Sequence, residues 1–175
     1  MLDIEREVGE MLVERKMISE DQLMEAMAVS ERNCTRLRDT LYETNLVTPY
    51  TWTTILSFKT HVPIVDLANE GSIPATEALA TVLDYMAMRL KVLPLSIGKG
   101  YVRMVVDDPT DLDAITELLL HTGRSVKPTI SIQPDLSTAI RNAYSGRWME
   151  YRGSLPFVDS YTTYKIGSTT SFQRN

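Results

Sequence analysis

Four carboxylates crowd into one short stretch, at Asp107, Asp108, Asp111 and Asp113. Such a cluster could serve a divalent cation or an acid–base pair. The spacing points elsewhere: Asp107 and Asp108 precede a helical run and Asp111 falls in its first turn, where the macrodipole favours anions. Asp108-Pro109 reads as an N-cap followed by the first helical residue. His61 and His121 stand alone near the ends of elements, without the spaced thiol or carboxylate companions of a metal site. Cys34 lies between Arg32 and Arg36, charges that favour a thiolate, but no His-Asp or His-Asn pair accompanies it. Gly98-Lys99-Gly100 is too short to cradle a phosphate and suits a hairpin turn. The phosphate-binding pattern Gly-x-x-x-x-Gly-Lys-Ser/Thr is absent from the sequence. No enzyme constellation, metal or cofactor is expected.

Composition narrows the classes further. The chain has 175 residues, 43% apolar and 23% charged, which is ordinary for a folded domain. A net charge of −5 argues against nucleic acid, whose binding needs a concentrated basic surface. No apolar run reaches the roughly 20 residues that span a bilayer, so direct membrane insertion is not expected. The acidic start MLDIEREVGE lacks the basic-then-apolar order of a secretory signal, and a single cysteine fits a reducing compartment. A cytoplasmic location is the expectation.

The first sixty residues contain a repeat. Seven apolar pairs recur at an offset of 29: Val8 with Leu37, Leu12 with Leu41, Val13 with Tyr42, Met17 with Leu46, Ile18 with Val47, Leu23 with Trp52, and Met27 with Leu56. Steps of 4, 1, 4, 1, 5 and 4 place them on one stripe of successive helices. Ser19 and Thr48, at the same offset, are N-cap residues, with Gln22 completing a capping box and Pro49 at a first helical position. Each unit is thus a helix, a tight turn and a second helix.

Beyond residue 60 the pattern changes. HVPIVDL is a short strand; IPATEALATVLDYMAMRL is a helix through Leu79, Val82, Leu83, Met86 and Leu90. KVLPLSIGKGYVRMVVDD is a hairpin, followed by a helix burying Leu112, Ile115, Leu118 and Leu119 and stopped by Gly123. SVKPTISI is a further strand and PDLSTAIRNAY a last helix. The fold class is α+β: a helical subdomain of two repeated helix-turn-helix units over 1–60, then an α/β subdomain over 61–146. That second part carries a three- to four-stranded sheet with flanking helices. Residues 147–175 read as an irregular tail rich in aromatics, Trp148, Tyr151, Phe157, Tyr161, Tyr164 and Phe172.

The doubled unit and the α/β part, from about residue 4 to 146, resemble the N-terminal domain of type II secretion and type IV pilus assembly ATPases, the MshEN domain. In that family an Arg-Leu-Gly start and a closing Gln frame each helical copy. Here the copies are Glu7 to Ser30 and Arg36 to Lys59, around the spacer Glu31 to Thr35. Every apolar position is kept, and RLKVLPLSIGKGYVRMVVDDPTDLDAI and LLHTGRSVKP are also similar to the family. Of the polar and glycine landmarks, Gly9 and Arg36 are retained. Glu7 stands for the first arginine, with Arg6 adjacent; Lys16, Arg38 and Asn45 stand for turn and packing glycines, and Ser30 and Lys59 for the glutamines. The resemblance implies a regulatory or docking module for a protein partner in a secretion, pilus or motility machine, with cyclic di-GMP sensing as the alternative. Any cyclic di-GMP would meet Arg6, Val8, Gly9, Arg36, Leu37, Arg38, Asp39 and Lys59. Tyr50, Trp52, Phe58, Trp148 and Tyr151 are the docking candidates.

Overall fold

The computed structural model describes residues 3–133 and 135–155. Four helices come first: α1 (Asp3–Glu14), α2 (Glu20–Asn33), α3 (Leu37–Glu43) and α4 (Pro49–Thr60). Their boundaries follow the caps. The Ser19 hydroxyl accepts from the Gln22 N–H while the Gln22 side chain accepts from the Ser19 N–H, and Thr48 accepts from the Thr51 N–H. Lys16 and Asn45, again 29 apart, both take the left-handed conformation at φ 58° and 55°. These turns repeat because the chain must reverse at the same place in each unit.

Burial repeats as well. Val8 and Leu37 are fully buried, as are Leu12 and Leu41; Ile18 with Val47 and Leu23 with Trp52 are buried; Val13, Tyr42, Met17 and Leu46 are half-buried. Helix α1 packs on α4 and α2 on α3, so the first helix of each copy meets the second helix of the other. This crossed pairing brings both apolar stripes into one seam, which two hairpins folded back only on themselves would not do.

The sheet runs β1 (Ile64–Val65), β4 (Ser125–Ser131), β3 (Tyr101–Val106), β2 (Val92–Gly98). Strand β4 is parallel to both neighbours, and β2–β3 is the expected antiparallel hairpin. Its turn uses Gly100 at φ 81°. Around the sheet lie α5 (Thr76–Leu79), α6 (Asp84–Leu90), α7 (Leu112–Thr122), α8 (Leu136–Tyr144) and α9 (Trp148–Ser154). The architecture is α+β with a four-stranded sheet.

Three local expectations change. The helix expected through Leu79 to Leu90 is two short helices, with Leu83 an exposed N-cap. The break is held from outside: the Tyr144 hydroxyl on α8 lies 2.8 Å from the Val82 carbonyl and 3.3 Å from that of Leu79, groups a continuous helix would have paired. The N-cap of α7 is Asp111, which accepts from the Ala114 N–H, whereas Asp108 caps its own turn at Thr110. Of the expected buried face, Leu118 is buried and Ile115 half-buried, whereas Leu112 and Leu119 are exposed and Ala114 is buried in their stead. Finally, the stretch read as irregular from Arg147 begins with α9, whose Trp148 is buried against Tyr151 at a ring separation of 5.4 Å. Phe157, Tyr161, Tyr164 and Phe172 lie outside the described residues.

Candidate functional site

The residues opening the second repeat sit where the helical part meets the sheet. Arg36 is the N-cap of α3 and makes no side-chain cap of its own. The cap is supplied by Glu5 of α1, a carboxylate only 3% exposed. One Glu5 oxygen accepts the Leu37 N–H at 3.0 Å and the other accepts Arg36 Nε at 2.7 Å. Arg36 Nη1 also donates to Asp107, at the end of β3, and Arg38 Nη2 donates to the second Asp107 oxygen. The order Glu5–Arg36–Asp107–Arg38 alternates in sign and ties α1, α3 and β3 together.

The electrostatics follow from that order. Burial pushes the Asp107 carboxyl up, but the guanidiniums of Arg38 and Arg36 outweigh it and hold the group below the usual carboxylate range. Burial works against the charged form of Arg36 too, and Asp107 and Glu5 overcome it, raising its pKa. Half-buried Tyr42, above Arg38, has its hydroxyl pushed well up by burial and stays neutral. The cluster is a closed set of fixed charges, each cation already facing an anion.

The same holds across the repeat. Glu7, where the family places an arginine, lies 3.0 Å from Lys59, where it places a glutamine. These are the first position of one copy and the last of the other, brought together by the α1–α4 packing. Arg6 is exposed and pairs with Glu10 one turn on, at 3.5 Å. Asp39 lies 3.7 Å from Arg38. Gly9 has a packing reason: a Cβ there would come within 2.7 Å of Leu23 Cδ1 where α1 crosses α2. Val8 and Leu37 are fully buried core residues.

Of the docking candidates, Trp52 and Trp148 are 3% and 6% exposed and belong to the core. Tyr50 and Tyr151 are half-buried. Phe58 is 60% exposed and carries the Arg15 guanidinium over its ring at 4.6 Å. Sequence reading missed Glu5 and misassigned Asp107, which was placed with the helix-start carboxylates but instead answers Arg36 and Arg38, the start of α7 being capped by Asp111. Glu5 had a signal, since it falls on the apolar stripe three residues before Val8, where a carboxylate needs a partner.

A cleft of about 240 Å³ runs past Arg36 and Asp107, lined also by Arg89, Lys91, Asp108 and Asp111. Its polar groups are engaged: Arg89 with Glu117, Lys91 with Ser137, Asp108 with Thr110, Asp111 with the Ala114 N–H. Among the described residues, no three His, Cys, Asp or Glu side chains are grouped to hold a metal, and no helix is long and apolar enough to cross a membrane. What the arrangement can do is hold two layers in register and present the surfaces around them.

Residues 61–147 match the MshEN domain family. Over 138 residues the chain is 25% identical to the type IV pilus assembly ATPase PilB of Myxococcus xanthus (strain DK1622), covering 79% of this chain and 24% of that protein. The chain thus spans about a quarter of the length of the curated relative it matches. A solved structure of MshE with cdg, cyclic di-GMP, is similar at a TM-score of 0.67 and 25% identity, covering 78% of this chain and 98% of that one. The N-terminal domain of XpsE shares the fold at a TM-score of 0.62 and 19% identity, covering 81% and 96%.

Proposed function

Residues 61–147 belong to the MshEN domain family, and from that premise we propose that the chain is a non-catalytic regulatory or protein-docking module of a secretion or pilus machine. It acts by binding a protein partner, with residues 1–60 as the helical subdomain and 61–146 as the α/β subdomain beneath it. One observation supports this over ligand sensing: the cations that would meet a nucleotide are occupied within the chain. Arg36 and Arg38 face Asp107 and Glu5, and Lys59 faces Glu7. At Arg36 and Arg38 an anionic ligand would have to displace the largely buried carboxylates of Glu5 and Asp107 and lose their charge-assisted bonds; at Lys59 it would compete with the more exposed Glu7. The half-exposed ring of Tyr50 and the exposed ring of Phe58 on α4 are the surface we assign to docking.

The second reading, a cyclic di-GMP sensor, draws on the likeness to MshE with its bound cyclic di-GMP and on the retained Arg36 and Gly9. Calorimetric titration with cyclic di-GMP separates the two. The docking module gives a flat titration well above micromolar ligand; saturable heat that disappears in Arg36→Ala would replace it with the sensor.

A further inference from the structure

Helix α7 packs on β4 with Ala114 and Leu118 buried and Ile115 half-buried, and turns its three other leucines outward. Leu112 is 71% exposed, Leu120 79% and Leu119 44%. At 100° per residue these leucines and Thr116 form one face, with Thr116 exposed at its middle. Isolated exposed leucines need no explanation, but a contiguous face on one helix does.

The ends of the helix say what covers it. Asp108, Asp111 and Asp113 gather at its N-terminal end, His121 and Arg124 at its C-terminal end, and Glu117 on its flank is paired with Arg89. An antiparallel copy of the same helix is therefore its own complement. Leu112 meets Leu120 of the second copy, the acidic end lies beside the basic end, and the helix dipoles oppose favourably. Thr116 falls on the two-fold axis, where a small side chain permits close approach.

We propose that α7 is a self-association surface, forming a two-fold antiparallel α7–α7 contact between two copies of this chain. A helix of 11 residues is about 16 Å long, so the contact is at the small end of specific interfaces and the dimer is weak.

The test is oxidative cross-linking of the whole chain. With the native thiol removed as Cys34→Ser, Thr116→Cys should form a covalent dimer, because close antiparallel helices bring facing Cα atoms within about 4.4–6.8 Å. Met149→Cys, exposed on α9, should not. In parallel, sedimentation velocity of the unmodified chain should show a mass rising with concentration. Leu120→Glu should remove that rise without changing the circular dichroism spectrum or Tm, since the side chain is not part of the core. A mass fixed at one chain up to about 1 mM overturns the proposal, as does cross-linking at 149 equal to that at 116, or a rise that survives Leu120→Glu.

Discussion

Glu7 and Lys59 form a charge pair between the first position of one helical copy and the last position of the other, 3.0 Å apart. Both depart from the family pattern, and the two departures answer each other. A cation or a neutral group at either site alone would leave the other charge without its partner. Each side chain is about two-fifths exposed, so solvent screens the pair and its energetic weight is small. We expect Glu7→Arg to cost up to about 1 kcal/mol in urea unfolding and Lys59→Glu to restore most of it in the double variant. Additive losses in the cycle would show that the two charges do not interact.

Asp107 should matter more, since its side chain is only 16% exposed and answers two arginines. Asp107→Asn leaves both guanidiniums without their shared anion and should lower stability by about 2–3 kcal/mol. Because the folded-state pKa of Asp107 is depressed, its contribution is fully present above the ordinary carboxylate range. It is lost as pH falls through that range toward the folded value. The variant should therefore lose less stability than the wild type on acidification below about pH 4. Parallel pH–stability curves would remove Asp107 from that role.

Much of the helical part was legible because its information is local. Caps act within three residues and apolar steps of one, four and five define a stripe, so Ser19, Thr48 and the seven pairs could be read directly. The break between α5 and α6 could not, because its cause is Tyr144, sixty-two residues away from Val82. The same limit hid the site. Arg36 finds Asp107 across seventy-one positions, and no spacing rule links a helix start to a strand end. Trp52, taken as a docking residue but only 3% exposed, failed for the opposite reason. Its repeat mate Leu23 already marked it as core, but an aromatic beside Tyr50 invited a docking role.

The two left-handed turn residues offer a graded test. Lys16 and Asn45 share one conformation, but Asn bears it better than Lys. Lys16→Gly should stabilise by about 0.5–1 kcal/mol and Asn45→Gly by less, read as shifts in Tm. Equal gains would show that Asn45 bears the conformation no better than Lys16, and losses at both would show that the positive φ is not what costs stability there.

Burial separates core from surface among the aromatics. Trp52→Ala should cost about 3–5 kcal/mol, and Phe58→Ala less than about 0.5 kcal/mol in the isolated chain. Phe58→Ala is then the variant with which to test partner binding, since it alters the surface and spares the fold. If Phe58→Ala destabilised as much as Trp52→Ala, Phe58 would be core and no docking role could be assigned to it.

The neutralisation of the arginines can be measured on the carboxylate itself. Carbon-detected NMR titration of Asp107 should give a pKa below the ordinary value of 3.8 that moves up in Arg38→Gln. An Asp107 that titrates at an ordinary value and ignores Arg38→Gln would mean that the guanidiniums are free to meet a ligand, and the docking module would give way to the sensor.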